Sequence, residues 1–245
     1  MSTHSVAELR DAWRAIEAGQ FAPGRRPSGS PLDGLAEWTP ASGEHAVVVM
    51  GCAGGVGASI VALALATASG APARVVECCP PLASGFPAAA SAELGTEGPW
   101  RRGSRADVLL DRRATAEARV PVPGPAAVEW TILDVGWQAV AVDASEAPSP
   151  WLRTMEAVVL VTNATVPGLR RLEAVAELLG QNAVAVVVGP AARRWPGPVK
   201  AAAATLPSSI GMTTFPIDPR LQVTGVTPDP LPTSLLKAAQ NVLTL

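Results

Sequence analysis

Residues Gly51 to Ser59 read GCAGGVGAS, and no other stretch constrains the fold of this chain as strongly. The segment Ala46–Met50 before it is a run of Ala, Val and Met, the pattern of a buried strand. Ile60–Ala66 after it is apolar and Ala/Leu-rich, which reads as a helix. Strand, glycine-rich turn and helix together aim backbone N–H groups and the positive end of a helix dipole at an anion. A Walker-A phosphate loop ends in Gly-Lys-Ser/Thr. Here Gly57-Ala58-Ser59 takes that place, so the amide cradle is present without its cation.

The wider composition sharpens this. Among 245 residues the only lysines are Lys200 and Lys237, so none lies near the loop in sequence. The net charge of −2 gives no global attraction to nucleic acid. No apolar run reaches the roughly 18 residues of a membrane span. The N-terminus lacks the basic-then-apolar order of a secretory signal, so a soluble cytoplasmic protein is expected. With three cysteines (Cys52, Cys78, Cys79), two histidines and no CxxC, a zinc site is not expected, and the thiols read as reduced and mostly buried.

Three regions are expected. Residues 1–22 carry an amphipathic helix over Ser5–Gly19, with Val6, Leu9, Trp13 and Ile16 at helical spacing. Residues 23–43 are rich in Pro, Gly and Ser and read as a linker. Residues 44–245 alternate strands and helices. The strands are Ala46–Met50, Arg74–Cys78, Trp130–Val135, Ala157–Thr162, Ala183–Val188 and Thr213–Pro216; the helices are Ser59–Ser69, Thr165–Leu179, Pro198–Leu206 and Thr233–Leu243. Several of the strands are continuous Val/Ile/Leu runs, as in parallel sheets covered on both faces. The fold class is therefore α/β, a doubly wound, mostly parallel sheet with helices on both faces. Ala83–Pro125 reads as irregular, with one helix near Ala88–Leu94 and a short strand at Asp107–Leu110. Trp100, Trp137, Trp151 and Trp195 lie in loop-like contexts, covering small clusters or a protein-binding patch.

The candidate site gathers at the C-terminal edge of that sheet, where open α/β sheets bind ligands. Gly54, Gly55, Val56, Gly57 and Ala58 form the cradle, and Ser59 is either a helix cap or a Mg²⁺ ligand. Trp130–Asp134 is an apolar strand ending in an acid, the Walker-B form, so Ser59 and Asp134 would hold Mg²⁺ if it binds. Gly136 follows, with an N–H that could meet a terminal phosphate. Glu77, at the end of the preceding strand, is the other acid near this edge.

In this order the elements resemble the ParA/MinD family of deviant Walker-A ATPases. Ala53–Ser59 matches K-G-G-x-G-K-[ST] with alanine at both lysines. Leu133–Gly136 sits where that family has its Walker-B acid. Glu156–Thr162 followed by Val166–Leu172 resembles the next strand-then-helix step. Phe215–Leu221 resembles the late turn near the purine, which implies contacts from Pro216 and Asp218. The resemblance implies a P-loop NTPase-like fold and a site for ATP or ADP with Mg²⁺. The missing lysines imply that nucleotide binds weakly or not at all and that no catalytic residue can be assigned. The expected function is a degenerate positioning, partitioning or assembly factor acting through a protein partner or as a homodimer. Two alternatives stand beside it. One is a divergent ATPase that takes its cation from Arg74, Arg101, Arg102, Arg193 or Arg194, or from a partner. The other is a DNA- or membrane-associated accessory protein of a mobile element, supported only by the Arg101–Arg113 segment.

Overall fold

Apolar strands with no polar alternation need cover on both sides, and the chain provides it. The structure, a computed structural model, describes residues 31–117, 119–137, 151–152, 155–179 and 183–244. The N-terminal helix expected over Ser5–Gly19 lies outside them. Among the described residues nine strands form one sheet: β1 (His45–Gly51), β2 (Ala73–Glu77), β3 (Ala92–Glu97), β4 (Trp100–Arg105), β5 (Val108–Arg113), β6 (Trp130–Gly136), β7 (Ala157–Asn163), β8 (Ala183–Val188) and β9 (Gly211–Phe215). Their order is β3-β4-β5-β2-β6-β1-β7-β8-β9. The seven strands from β5 to β9 are all parallel, with β1 in their centre; β3 and β4 add an antiparallel hairpin at one edge.

Five α-helices are described: α1 (Ala58–Ala68), α2 (Val166–Leu179), α3 (Gly197–Ala203), α4 (Pro219–Thr224) and α5 (Thr233–Leu243). Helices α1 and α5 pack on one face of the sheet against Val47, Val49, Ile132 and Val159. Helices α2 and α3 pack on the other, against Val48, Met50, Leu133 and Leu160. The doubly wound α/β reading therefore holds. Helix α1 is apolar on all sides, and Val61 through Ala66 are all buried. Each Val or Leu buried there contributes about 1.5–3 kcal/mol relative to exposure.

Three expectations need correction. No helix forms near Ala88–Leu94: that stretch runs into β3, and the strand placed at Asp107–Leu110 is the longer β5. The Ala-rich composition favours helix locally, but pairing to β4 prevails. The linker reading fails for its second half. Pro31–Glu37 is a 3₁₀ helix, and Leu32, Leu35 and Trp38 are buried in the core beneath the sheet. The arginine-rich segment is mostly folded inward. Arg102 forks onto Asp111 at 2.7 and 3.0 Å, Arg112 reaches Glu93 at 2.5 Å, and Arg113 donates to backbone carbonyls of Cys78, Glu117 and Arg119. Arg105 donates to the carbonyls of Thr227 and Asp229. Within this segment Arg101 is the arginine left exposed.

Near the N-terminal ends of the strands, Arg74 is buried with its guanidinium on Glu44 at 3.2 Å, on Thr131 at 2.7 Å and on the Gly124 carbonyl at 2.6 Å. Trp38 lies over the same guanidinium at 5.8 Å. Removing one partner of such a buried pair leaves the other charge unpaired. Arg74→Met is expected to lower the unfolding free energy by about 3–5 kcal/mol in urea titration. A change within error would show that the network carries no net stability.

Candidate functional site

The central strand β1 delivers the chain into the glycine loop, and α1 begins immediately after it. Gly55 and Gly57 have φ of +73° and +92°, a region where an L side chain is strained. Gly57 is the residue that caps α1, so Ser59 stands inside the first turn and is not the N-cap. The Ser59 hydroxyl instead faces the Asp134 carboxylate and lowers its pKa against the effect of burial. Val49 pairs with Asp134 and Met50 with Gly136; this slip of one residue turns the end of β6 beneath the loop.

The expected residues converge. Gly54, Gly55, Val56, Gly57, Ala58, Ser59, Gly136, Pro216 and Asp218 line one cleft of about 730 Å³ at the C-terminal ends of the parallel strands. Asp134 is fully buried just below it. Two of these residues do other work than expected. The Gly136 N–H donates to Asp134 Oδ1 at 3.2 Å, so it is turned toward that carboxylate and not out to a ligand. Asp218 caps α4, accepting from the Leu221 N–H at 3.0 Å.

Among the described residues no lysine or arginine lines the cleft. Arg74 is engaged at the other end of the sheet, and Arg102 is paired with Asp111. Arg101, Arg193 and Arg194 do not line the cleft either. The charge behind the loop is negative. Glu77 lies opposite Asp134 in the β2–β6 register. It accepts from the Ser84 hydroxyl at 2.7 Å and the Gly85 N–H at 2.5 Å. Burial, then the charge of Asp134, pushes the Glu77 carboxyl up to about 7; burial raises Asp134 to about 6. Asp134 Oδ2 is buried with no hydrogen-bond partner among the described residues.

The loops around Ser59 are crowded. A Cβ at Gly85 would collide with the Ser59 hydroxyl, and one at Gly136 would collide with Cys79 Sγ. The Trp137 indole lies 3.2 Å from where a Gly54 Cβ would be. Oxygen donors of this kind suit a hard cation. Asp134 Oδ2 and the Ser59 hydroxyl are the oxygens that would hold it, while Glu77 is engaged by the Ser84–Gly85 turn, and among the described residues no lysine or arginine lines the cleft to balance a phosphate chain. Sequence reasoning saw Glu77 at its strand end but missed the Ser84–Gly85 turn and Trp137, which reach the site only through tertiary packing. Of the loop-like tryptophans, Trp100, Trp151 and Trp195 are buried and Trp137 is 45% exposed.

The sequence matches no protein-family model and no curated protein. The fold, however, has counterparts among solved structures. MinD in the MinC:MinD cell division complex of Aquifex aeolicus aligns with a TM-score of 0.56 and 13% identity over 82% of this chain and 96% of that one. The cell division ATPase MinD of Pyrococcus furiosus aligns at 0.52 with 16% identity, over 82% and 98%. A Borrelia burgdorferi protein described as a plasmid partition protein, bound to AMPPNP, aligns at 0.51 with 11% identity, over 82% and 97%. This chain has the P-loop fold of ParA- and MinD-like proteins. Among the described residues no helix is long and apolar enough to cross a membrane.

The raised carboxyls give a signed pH effect. The folded chain holds a proton on Glu77 that the unfolded chain releases above its ordinary value of 4.5. Stability from that proton is complete below 4.5 and is lost as pH rises through about 7. Relative to the parent chain, Glu77→Gln should therefore gain about 2–3 kcal/mol on going from acidic to neutral buffer in urea titrations. A difference that stays flat with pH would show that Glu77 is not held protonated by burial.

Proposed function

We propose that this chain is a degenerate ParA/MinD-like factor for positioning, partitioning or assembly in the cytoplasm. It works by protein association and not by ATP hydrolysis. The observation that carries this reading is an amide cradle at the centre of the fold whose cleft, among the described residues, is lined by no lysine or arginine. Phosphoryl transfer depends almost wholly on positioning and charge stabilisation, and a single arginine finger is worth roughly 10³–10⁵ in rate. With alanine at positions 53 and 58, the described residues bring none of the positive charge that step requires to the cleft.

Association is supported by the apolar rim of the same face. Leu82 is fully exposed after β2, Trp137 is 45% exposed after β6, Ile217 is 45% exposed after β9, and Val223 on α4 is 87% exposed. Large exposed apolar side chains gathered near one cleft mark interaction sites. One structural relative is itself held in a complex with a second protein, MinC. The ATPase alternative keeps only its partner-supplied cation, because the arginines considered for the role lie elsewhere. The nucleic-acid alternative loses most of its basis, because Arg102, Arg112 and Arg113 are engaged within the fold.

The test measures ATP turnover and sedimentation together. With Mg²⁺, the purified chain should hydrolyse ATP no faster than its Asp134→Ala variant. It should also self-associate, and Leu82→Glu combined with Val223→Glu should weaken that association by about tenfold or more. Turnover above the Asp134→Ala level, or self-association indifferent to the rim substitutions, would refute the reading.

A further inference from the structure

We propose that the open edge of β9 is a self-pairing surface. Two copies of the chain join β9 to β9, antiparallel across a twofold axis, so that their sheets run on as one. The pairing follows from the edges of the sheet and does not rest on the reading of the cleft or its rim.

Among the described residues the sheet has two edges, β3 and β9, and the sequence treats them differently. An edge strand presents unpaired N–H and C=O groups, and proteins blunt such edges with charge, proline or a bulge. β3 carries these devices. Glu93 and Glu97 stand on it with side chains 55% and 67% exposed. Its register slips between Glu93 and Gly95, and Gly95 has a φ of +113°. A β3–β3 pair centred on Gly95 would set Glu93 of one copy against Glu97 of the other, a pairing of like charges. β9 carries none of these devices. Gly211-Met212-Thr213-Thr214-Phe215 holds no charge and no proline, and it pairs with β8 without a slip.

The backbone of β9 sets the register. Phe215 turns toward β8, where its carbonyl accepts from the Gly189 N–H at 2.9 Å. Successive residues of a strand point their N–H and C=O groups to opposite edges. Thr213 and Gly211 therefore also face β8, and Met212 and Thr214 face outward. Among the described residues those outward groups meet no partner. Antiparallel pairing about Thr213 sets Met212 opposite Thr214 of the second copy, and the two exchange both backbone bonds. Thr213 meets its own counterpart in the closer, non-bonded position, a favourable cross-strand pair. Gly211, with no side chain to obstruct the approach, falls opposite Phe215 of the second copy. Met212, 41% exposed at this edge, is the large apolar side chain that the contact would cover. Combined with association through the rim, a second contact between copies would extend a pair into an open assembly.

The experiment is disulfide trapping on the full chain, with sedimentation beside it. In the paired sheet the two Thr213 Cα atoms lie about 4.5 Å apart, within the range that a disulfide spans. Under mild oxidation Thr213→Cys should therefore form a covalent dimer. Met212→Cys, whose counterpart is displaced along the strand, should do so about tenfold or more slowly. The parent chain, with Cys52 and Cys78 buried and Cys79 half-buried, sets the baseline. Sedimentation uses the Leu82→Glu, Val223→Glu background, so that the rim contributes nothing. There Met212→Pro deletes an outward N–H, which an edge strand tolerates, and Met212→Lys adds the charge that β9 lacks. Each should weaken the remaining self-association about tenfold or more while the thermal unfolding transition stays in place. No Thr213→Cys dimer above baseline, or equal trapping at positions 212 and 213, would overturn the inference. So would association that neither edge variant alters. The proposed function fails on different readouts, turnover and indifference to the rim substitutions, so the two can fall separately.

Discussion

The arrangement depends above all on the burial of α1. A helix that is apolar on every side can be stable only when it is enclosed, and here the sheet encloses it on one side and α5 on the other. That enclosure holds the first turn of α1 over the end of β1, so the chain between them has to turn within Cys52–Gly57. The positive φ angles of Gly55 and Gly57 follow from this constraint. None of it requires a lysine. The core residues Val61 to Ala66 are sufficient to keep the cradle in place, so the architecture can persist without the chemistry that usually accompanies it.

Electrostatics around the cradle work in the opposite direction from a triphosphate site. The loop amides and the α1 dipole attract negative charge weakly. The carboxyls of Glu77 and Asp134, packed side by side at the ends of β2 and β6, repel it only once they ionise. The protein's own groups engage these acids in part: the Gly136 N–H donates to Asp134 Oδ1, and Ser84 and the Gly85 N–H donate to Glu77. Burial outweighs these bonds and holds both carboxyls well above their ordinary range, and the loops carrying the donors line the loop end of the cleft.

How much of this was legible in the sequence depended on the range of the interactions. The six parallel strands proposed are all present; those covered on both faces, such as β1, β7 and β8, are apolar runs for that reason, whereas the edge strand β9 is polar and only partly buried. The β3–β4 hairpin was not legible. Ala88 to Ala92 favours helix on propensity, and the partners that make a strand of Arg102 and Arg112, namely Asp111 and Glu93, declare themselves only when paired across the sheet. Likewise Leu32, Leu35 and Trp38 sit among prolines and glycines that suggest a tether, although all three are buried. In the site, the glycine loop, Ser59, Asp134, Gly136 and the Pro216–Asp218 turn were recognised and do converge. The roles of Gly136 and Asp218 were not, because a backbone N–H or a carboxylate can serve a turn or a ligand equally well.

By itself, then, the sequence determined the strand–loop–helix frame, the parallel sheet around it, and the absence of a nearby lysine. Each of these follows from local periodicity or from residue identity. Only the tertiary structure decided where the arginines point, which loops crowd Ser59, and that the acids at the ends of β2 and β6 stand side by side. Those outcomes depend on residues far apart in the chain being brought within a few ångströms, where burial changes the cost of charge, and no local pattern encodes that distance.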